Sequence, residues 1–397
     1  MNARILLFLA ALMGCAACEK VGPEDPAYPY NRVLLLYECG YNNLSAYFKG
    51  DIQDLCDGTY VPGPNDFQAL LVFAHLSRTS IDYETPTDSH LIEIRKNKKG
   101  KVIRDTVLTI SPPTIADPAV MRQILEYVGG HYKSRHYGLL VSSHGTGWMP
   151  DDSYNREPTN SDYVWGSIAP SSFGQERVKN KDYFINVEDL AEAIPFYLDY
   201  VLFDACLMGC AEVAYAFRDL AGTIGFSQAE VIGDGFIYQT LAERLLKEQD
   251  PVAAIRDVYE YYNAQSGFNQ TAVVSAVNCA RMQELAGCCA VLFEKYRADI
   301  AAVNPAQVQG FFTDDRHWFY DLEDILVQSG ISEADAGALR QALDACVLYK
   351  AATPRICDRI PVRTNCGLSM YLPANGSEKL DAYYKTLDWN KATGLVK

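Results

Sequence analysis

The feature that most constrains this chain is an alternation of short, almost uninterrupted apolar runs with amphipathic segments. Val33–Tyr37, Leu70–Ala74, Tyr137–Ser143, Tyr200–Phe203, Thr223–Ser227 and Ala272–Val277 all have strand length and few polar positions. Strands read this way when both of their faces are covered. Between them lie helix-like stretches: Asp117–Val128, Leu207–Arg218, Tyr238–Lys247 and Pro251–Ala264. Such alternation predicts an α/β fold with a mostly parallel sheet flanked by helices. Leu91–Arg95 and Val102–Ile110 alternate with period two and predict a more exposed hairpin turning at Asn97–Gly100. Arg281–Ile300, Asp321–Gln328 and Ser332–Tyr349 predict a mostly helical C-terminal addition, from which a late strand, Leu368–Leu372, returns to the core. The expected division is a core over 31–280 and the C-terminal part over 281–397. Pro150–Asp182 is polar and without period, and reads as a long loop of the kind that often carries function.

The first residues do not belong to the fold argument. Arg4, an apolar run from Ile5 to Met13 and small residues after it have the proportions of a signal peptide over 1–18. The pattern resembles a bacterial lipoprotein signal. Cys18, followed by the polar Glu19-Lys20, is the preferred lipidation site; Cys15, with Leu12 three residues upstream, is the alternative. Residues 19–30, with three prolines, would serve as a tether. Together these predict an exported protein, lipid-anchored at a bacterial membrane or cell surface, with secretion as the alternative. No later segment is long and apolar enough to span a bilayer, so contact with a membrane is expected only through the anchor. The net charge of −15 argues against a nucleic-acid partner. The cysteines outside the signal show neither a disulfide framework nor a zinc-binding spacing, and no metal site is expected from them.

Two strand ends carry the chemistry. One strand, Leu139-Leu140-Val141-Ser142-Ser143, delivers His144 followed by Gly145 and Gly147; another, Val201-Leu202-Phe203-Asp204-Ala205, delivers Cys206 ahead of the helix read at Leu207–Arg218. Sites in open α/β sheets form at carboxyl ends of strands. If these strands are neighbours, an imidazole and a thiol sit side by side. A helix N-terminus and a nearby imidazole both favour the thiolate, the reactive form of cysteine. Gly145 lets backbone approach a substrate, so its N–H and that of Cys206 are the candidate oxyanion donors. The histidine precedes the cysteine by about 60 residues, close to the roughly 50 of the caspase-type arrangement. Cys210, read as one turn into the helix, is taken as packing. His75 also ends a strand but has no reactive residue after it.

The segments His144–Trp148 (HGTGW) and Phe203–Gly209 (FDACLMG) resemble the clostripain family of cysteine peptidases, which is grouped with the caspases. Tyr37–Leu44 (YECGYNNL), Ser227–Tyr238 (SQAEVIGDGFIY), Tyr320–Leu322 and Cys366–Pro373 (CGLSMYLP) are similar to further family signatures. The resemblance implies a caspase-like core and a cysteine endopeptidase that cuts proteins or peptides after Arg or Lys. It needs no cofactor for the Cys–His chemistry. Some members use calcium; no EF-hand loop is present, though Asp151, Asp152 and Asp162 make the long loop acidic. Some members cut themselves between the histidine and the cysteine, where Arg156, Arg177, Lys179 and Lys181 lie.

For the basic side chain of a substrate the candidate counter-ions are Asp204, two residues before Cys206; Asp234, in Gly233-Asp234-Gly235; and Glu230, in the variant segment Ser227-Gln228-Ala229-Glu230. A carboxylate facing a guanidinium away from water is a strong, orienting contact. The competing reading of the whole chain is a surface lipoprotein that binds peptides or proteins on a peptidase-like fold without cutting them.

Overall fold

The computed structural model describes residues 22–79, 85–150, 173–178, 181–312 and 318–397. Cys15, Cys18, Asp151, Asp152, Asp162, Arg156 and Lys179 lie outside these residues.

A nine-stranded sheet organises the molecule. Its strands are β1 (Arg32–Gly40), β2 (Gln68–Leu76), β3 (Ser89–Lys96), β4 (Val102–Ile110), β5 (Tyr137–Ser142), β6 (Leu198–Asp204), β7 (Ala221–Ser227), β8 (Val273–Asn278) and β9 (Val347–Ala352). The order across the sheet is β9-β8-β7-β6-β5-β1-β2-β3-β4. The central five, β7 to β2, are parallel. The β3–β4 hairpin closes one side antiparallel, and β8 and β9 close the other.

The two faces of the sheet explain the apolar runs. Along β1, Val33, Leu35 and Tyr37 enter one core, and Leu34 and Leu36 enter a second on the opposite face. Successive side chains of a strand point to opposite faces, so a strand covered on both sides must be apolar at every position. Helix α1 (Ser45–Asp57) covers the second core with Ile52 and Leu55. Helix α2 (Pro118–His131) covers the first with Met121, Ile124, Leu125 and Val128; its start is set by Asp117, whose side chain accepts from the Ala119 and Val120 N–H groups, and by Pro118. Helix α3 (Pro251–Asn263) begins the same way, with Asp250 as cap and Pro251 next, and lies on the face of α1.

The C-terminal part differs from expectation in two places. The helix read over Ser332–Tyr349 spans Glu333–Cys346 and then becomes strand β9 at the sheet edge. The late strand is only Ser369–Met370; it pairs with Tyr320–Asp321 and bridges to Cys210 rather than joining the main sheet. A third difference lies within the long loop: Phe173–Val178 and Lys181–Ile185 pair as an antiparallel hairpin. Its Glu176 is fully buried and binds His75 Nδ1 at 3.0 Å, while accepting from Thr114 Oγ1 and the Ile115 N–H. His75 in turn stacks on Tyr41, with ring centroids 4.6 Å apart. All ten cysteines among the described residues are free, and none of the helices there is long and apolar enough to cross a membrane.

Candidate active site

Parallel register sets the site. Glu38 of β1 lies opposite Ser142 of β5, and Ser142 lies opposite Asp204 of β6. β5 and β6 therefore end flush, while β1 runs on two residues to Gly40. His144 and Cys206 each follow two residues beyond that line, on adjacent strands.

Backbone packing brings them together. A Cβ added at Gly145 would lie 3.0 Å from Ala205 Cβ, the Cys206 carbonyl oxygen and Met208 Sδ. The His144–Gly145 turn thus rests directly on the Ala205–Cys206 segment, and a side chain there would push these neighbours aside by a few tenths of an ångström. Neither the Gly145 nor the Cys206 N–H donates to an acceptor among the described residues.

The His144 and Cys206 side chains face different partners. His144, 7% exposed, binds Asn43 Oδ1 through Nε2 at 2.7 Å. That bond makes Nε2 the protonated nitrogen and leaves Nδ1 with its lone pair. Burial lowers the imidazole pKa to about 4. Cys206 Sγ is turned to Val231, accepting from its N–H at 3.3 Å and lying 3.6 Å from its carbonyl oxygen. Burial, aided by the Glu230, Cys357 and Asp204 charges, pushes the thiol up to about 12. In this conformation both groups are neutral at pH 7.

The helix read after Cys206 starts later than expected. Leu207 has φ +62, the chain turns through Gly209, and the helix is Ala211–Ala216 with Cys210 at its N-cap. No helix N-terminus therefore abuts Cys206 to favour its thiolate. Cys210 stands at the helix start rather than within it, and it is fully buried.

The profile of the clostripain family matches residues 36–393. The chain belongs to the clostripain family. It is 29% identical over 231 residues to clostripain from Hathewaya histolytica, across 54% of this chain but only 42% of that protein's length. Among solved structures, an inactive zymogen C11 protease from Parabacteroides distasonis is 28% identical, with a TM-score of 0.76, covering 92% of this chain and 98% of the other. A secreted C11 cysteine protease from Bacteroides thetaiotaomicron shares the fold at 20% identity, with a TM-score of 0.75 over 92% of this chain and 99% of that one. The caspase-like α/β architecture expected from sequence is the one found, and the family is one of cysteine peptidases.

The acidic residues sort by depth. Asp204 is buried, and its Oδ2 accepts from Tyr238 Oη at 2.7 Å and from the Phe236 N–H at 3.1 Å. Burial raises its carboxyl to about 6 against the pull of those two donors. The turn that brings them is Gly233-Asp234-Gly235. Gly235 has φ +61, and a Cβ there would lie 2.4 Å from Asp204 Oδ2. Asp234 is exposed on that turn, and Glu230 is half-buried beside Cys206.

Three further residues take part without having been singled out by sequence. Asn43 lies in a quoted signature, but its contact with His144 depends on the β1–α1 turn reaching β5. Glu38 and Asp51 are buried carboxylates on the face of Asp204. The one signal of Glu38 was a charge directly after the apolar Val33–Tyr37 run. Among the described residues, no group of three or more ligating side chains is arranged to hold a metal ion.

Proposed function

We propose that the chain is an exported cysteine endopeptidase that cuts after Arg or Lys, with Cys206 as nucleophile and His144 as its base. The observation that carries this reading is the seating of Gly145 on Ala205–Cys206, which sets the backbones of His144 and Cys206 close together at the ends of adjacent parallel strands. Cys206 Sγ leaves Val231 and gives its proton to His144 Nδ1 as it attacks the scissile carbonyl carbon. The oxygen of that carbonyl takes up negative charge between the Gly145 and Cys206 N–H groups. His144 then passes the proton to the leaving amine nitrogen, the C–N bond breaks, and an acyl-thioester remains. Water, deprotonated by His144, hydrolyses it and restores the thiol. Asp204 receives the basic side chain of the residue before the cut.

The conformation described is that of a precursor in this reading. The thiol is neutral and bonded to Val231, and likeness to a protein described as an inactive zymogen supports a maturation step. The cut falls between His144 and Cys206. Arg177 is poorly suited, because its side chain is engaged within the hairpin by Asp182 at 2.9 Å. Export follows from the signal-like N-terminus, with Cys18, or else Cys15, as lipid anchor.

The test compares wild type, Cys206→Ala and His144→Ala against peptides ending in Arg, Lys or Gln before the same chromophore. Both variants should lose at least about 10³-fold in kcat/KM, and only proteins retaining Cys206 should react with an Arg-directed electrophile. Near-normal turnover by purified Cys206→Ala would refute the dyad.

A further inference from the structure

Beneath the reactive pair lies a second acidic element that the mechanism above does not use. Glu38 is fully buried, and both of its carboxylate oxygens are buried without a hydrogen bond from any described residue. A carboxylate placed so is costly unless a donor reaches it. Its surroundings show which way it faces. Along β1, Leu34 and Leu36 enter the core on the α1 face, and Glu38 continues that alternation. Along β6, Leu202 enters the same core, and Asp204 continues it. Between them stands Ser142 of β5, opposite both. Two strand spacings separate Glu38 from Asp204, about 10 Å between Cα atoms, with only a serine side chain on the strand between. From above, α1 contributes Asp51, 7% exposed, and the 233–238 turn contributes Tyr238, whose hydroxyl holds Asp204. Glu38, Asp51 and Asp204 all lie within electrostatic reach of that hydroxyl, so the three carboxyls share one neighbourhood.

We propose that Glu38 is a specificity residue: with Asp204 it forms a two-sided acidic pocket, closed by Asp51, that receives the guanidinium of a substrate arginine and prefers it to lysine. This rests on the proposed cleavage after basic residues. A guanidinium is flat and carries donors on several edges, so it can bond two carboxylates facing it from opposite sides. A lysine ammonium is compact and meets one of them well. The ion brought in by the substrate also supplies the donors that Glu38 lacks.

The experiment measures kcat/KM of matured wild type and Glu38→Gln for Arg, Lys and Gln substrates with one leaving group, together with iodoacetamide labelling of Cys206 and the melting temperature. A second arm measures benzamidine binding by calorimetry to Cys206→Ala and to Cys206→Ala/Glu38→Gln. We expect the Arg substrate to lose at least about 30-fold and the Lys substrate less than about 5-fold, with labelling unchanged and benzamidine binding weakened at least about tenfold. An Arg-to-Lys ratio within twofold of wild type, with normal labelling, overturns the assignment of Glu38. If wild type itself shows no preference for basic residues, the proposed function falls as well, which separates the two failures. Should Glu38→Gln fail to fold, Glu38→Asp decides: it keeps the charge but withdraws it by one methylene, and an unaltered Arg-to-Lys ratio there overturns the assignment.

Discussion

Replacing Asn43 with alanine removes the acceptor that holds His144 Nε2 at 2.7 Å. The imidazole is buried, and an unpaired buried N–H costs about 1–3 kcal/mol. Asn43 itself is exposed, so water can reach the vacated position and recover part of that loss. We therefore expect the lower part of the range, about 1–2 kcal/mol, or roughly a 5- to 30-fold fall in kcat. The loss should appear in kcat rather than KM, because it comes from a ring free to adopt the other tautomer. Asn43→Asp supplies the sign test. A carboxylate at Nε2 favours imidazolium and raises the His144 pKa from its buried value of about 4. If, as proposed, the unprotonated ring accepts the thiol proton, the acidic limb of kcat/KM must move to higher pH. The assay is a pH series on an Arg substrate with active-site titration of Cys206. If Asn43→Ala keeps kcat within twofold and Asn43→Asp leaves the acidic limb in place, Asn43 does not orient the histidine.

Three more outcomes follow from the geometry. Asp204→Asn should lower kcat/KM for an Arg substrate by about 100-fold, near 3 kcal/mol, and shrink discrimination against Gln; unchanged preference with normal labelling of Cys206 removes Asp204 from the pocket. Gly145→Ala brings a methyl to 3.0 Å from three atoms of the 205–208 turn, and should cost about tenfold in kcat by shifting His144 from Cys206 while circular dichroism stays native; full activity would show that the turn can give way. Burial first, then the Glu38 and Asp204 charges, raises the Asp51 carboxyl to about 10. A carboxyl raised on folding contributes stability below its unfolded value, about 4, and loses it as pH rises towards the folded one. Asp51→Asn should therefore raise the melting temperature at pH 8 and change it much less at pH 4; equal shifts at both would contradict the raised carboxyl.

How much of this was legible depended on whether the signal was local. The parallel strands were, because burial on two faces writes itself as unbroken apolar runs such as Val33–Tyr37. The strand-end histidine and cysteine were legible by their place and order. Leu207 and Met208 suit a helix and so predict one directly after Cys206, whereas Leu207 adopts positive φ as the chain returns to Ala229 and Ser227. Val347-Leu348-Tyr349 extends the apolar pattern of the preceding helix, and only pairing with β8 makes β9 a strand. The hairpin of Phe173–Val178 and Lys181–Ile185 leaves no trace of apolar periodicity, since its buried Glu176 is held by polar contacts instead. Asn43, Glu38 and Asp51 come to the site through neighbours distant in sequence, which no spacing rule reports.

That hairpin has a consequence for a chain cut at Arg156. The break would fall between β5 and β6, two adjacent strands in the middle of the parallel sheet, so each fragment owns half of one hydrogen-bonded ladder. The new amino-terminal stretch of the second fragment would still be moored by Glu176 to His75, Thr114 and Ile115 of the first. A nicked molecule built this way behaves as one folding unit in two pieces. Its halves should co-migrate under native conditions and part only when the whole sheet melts.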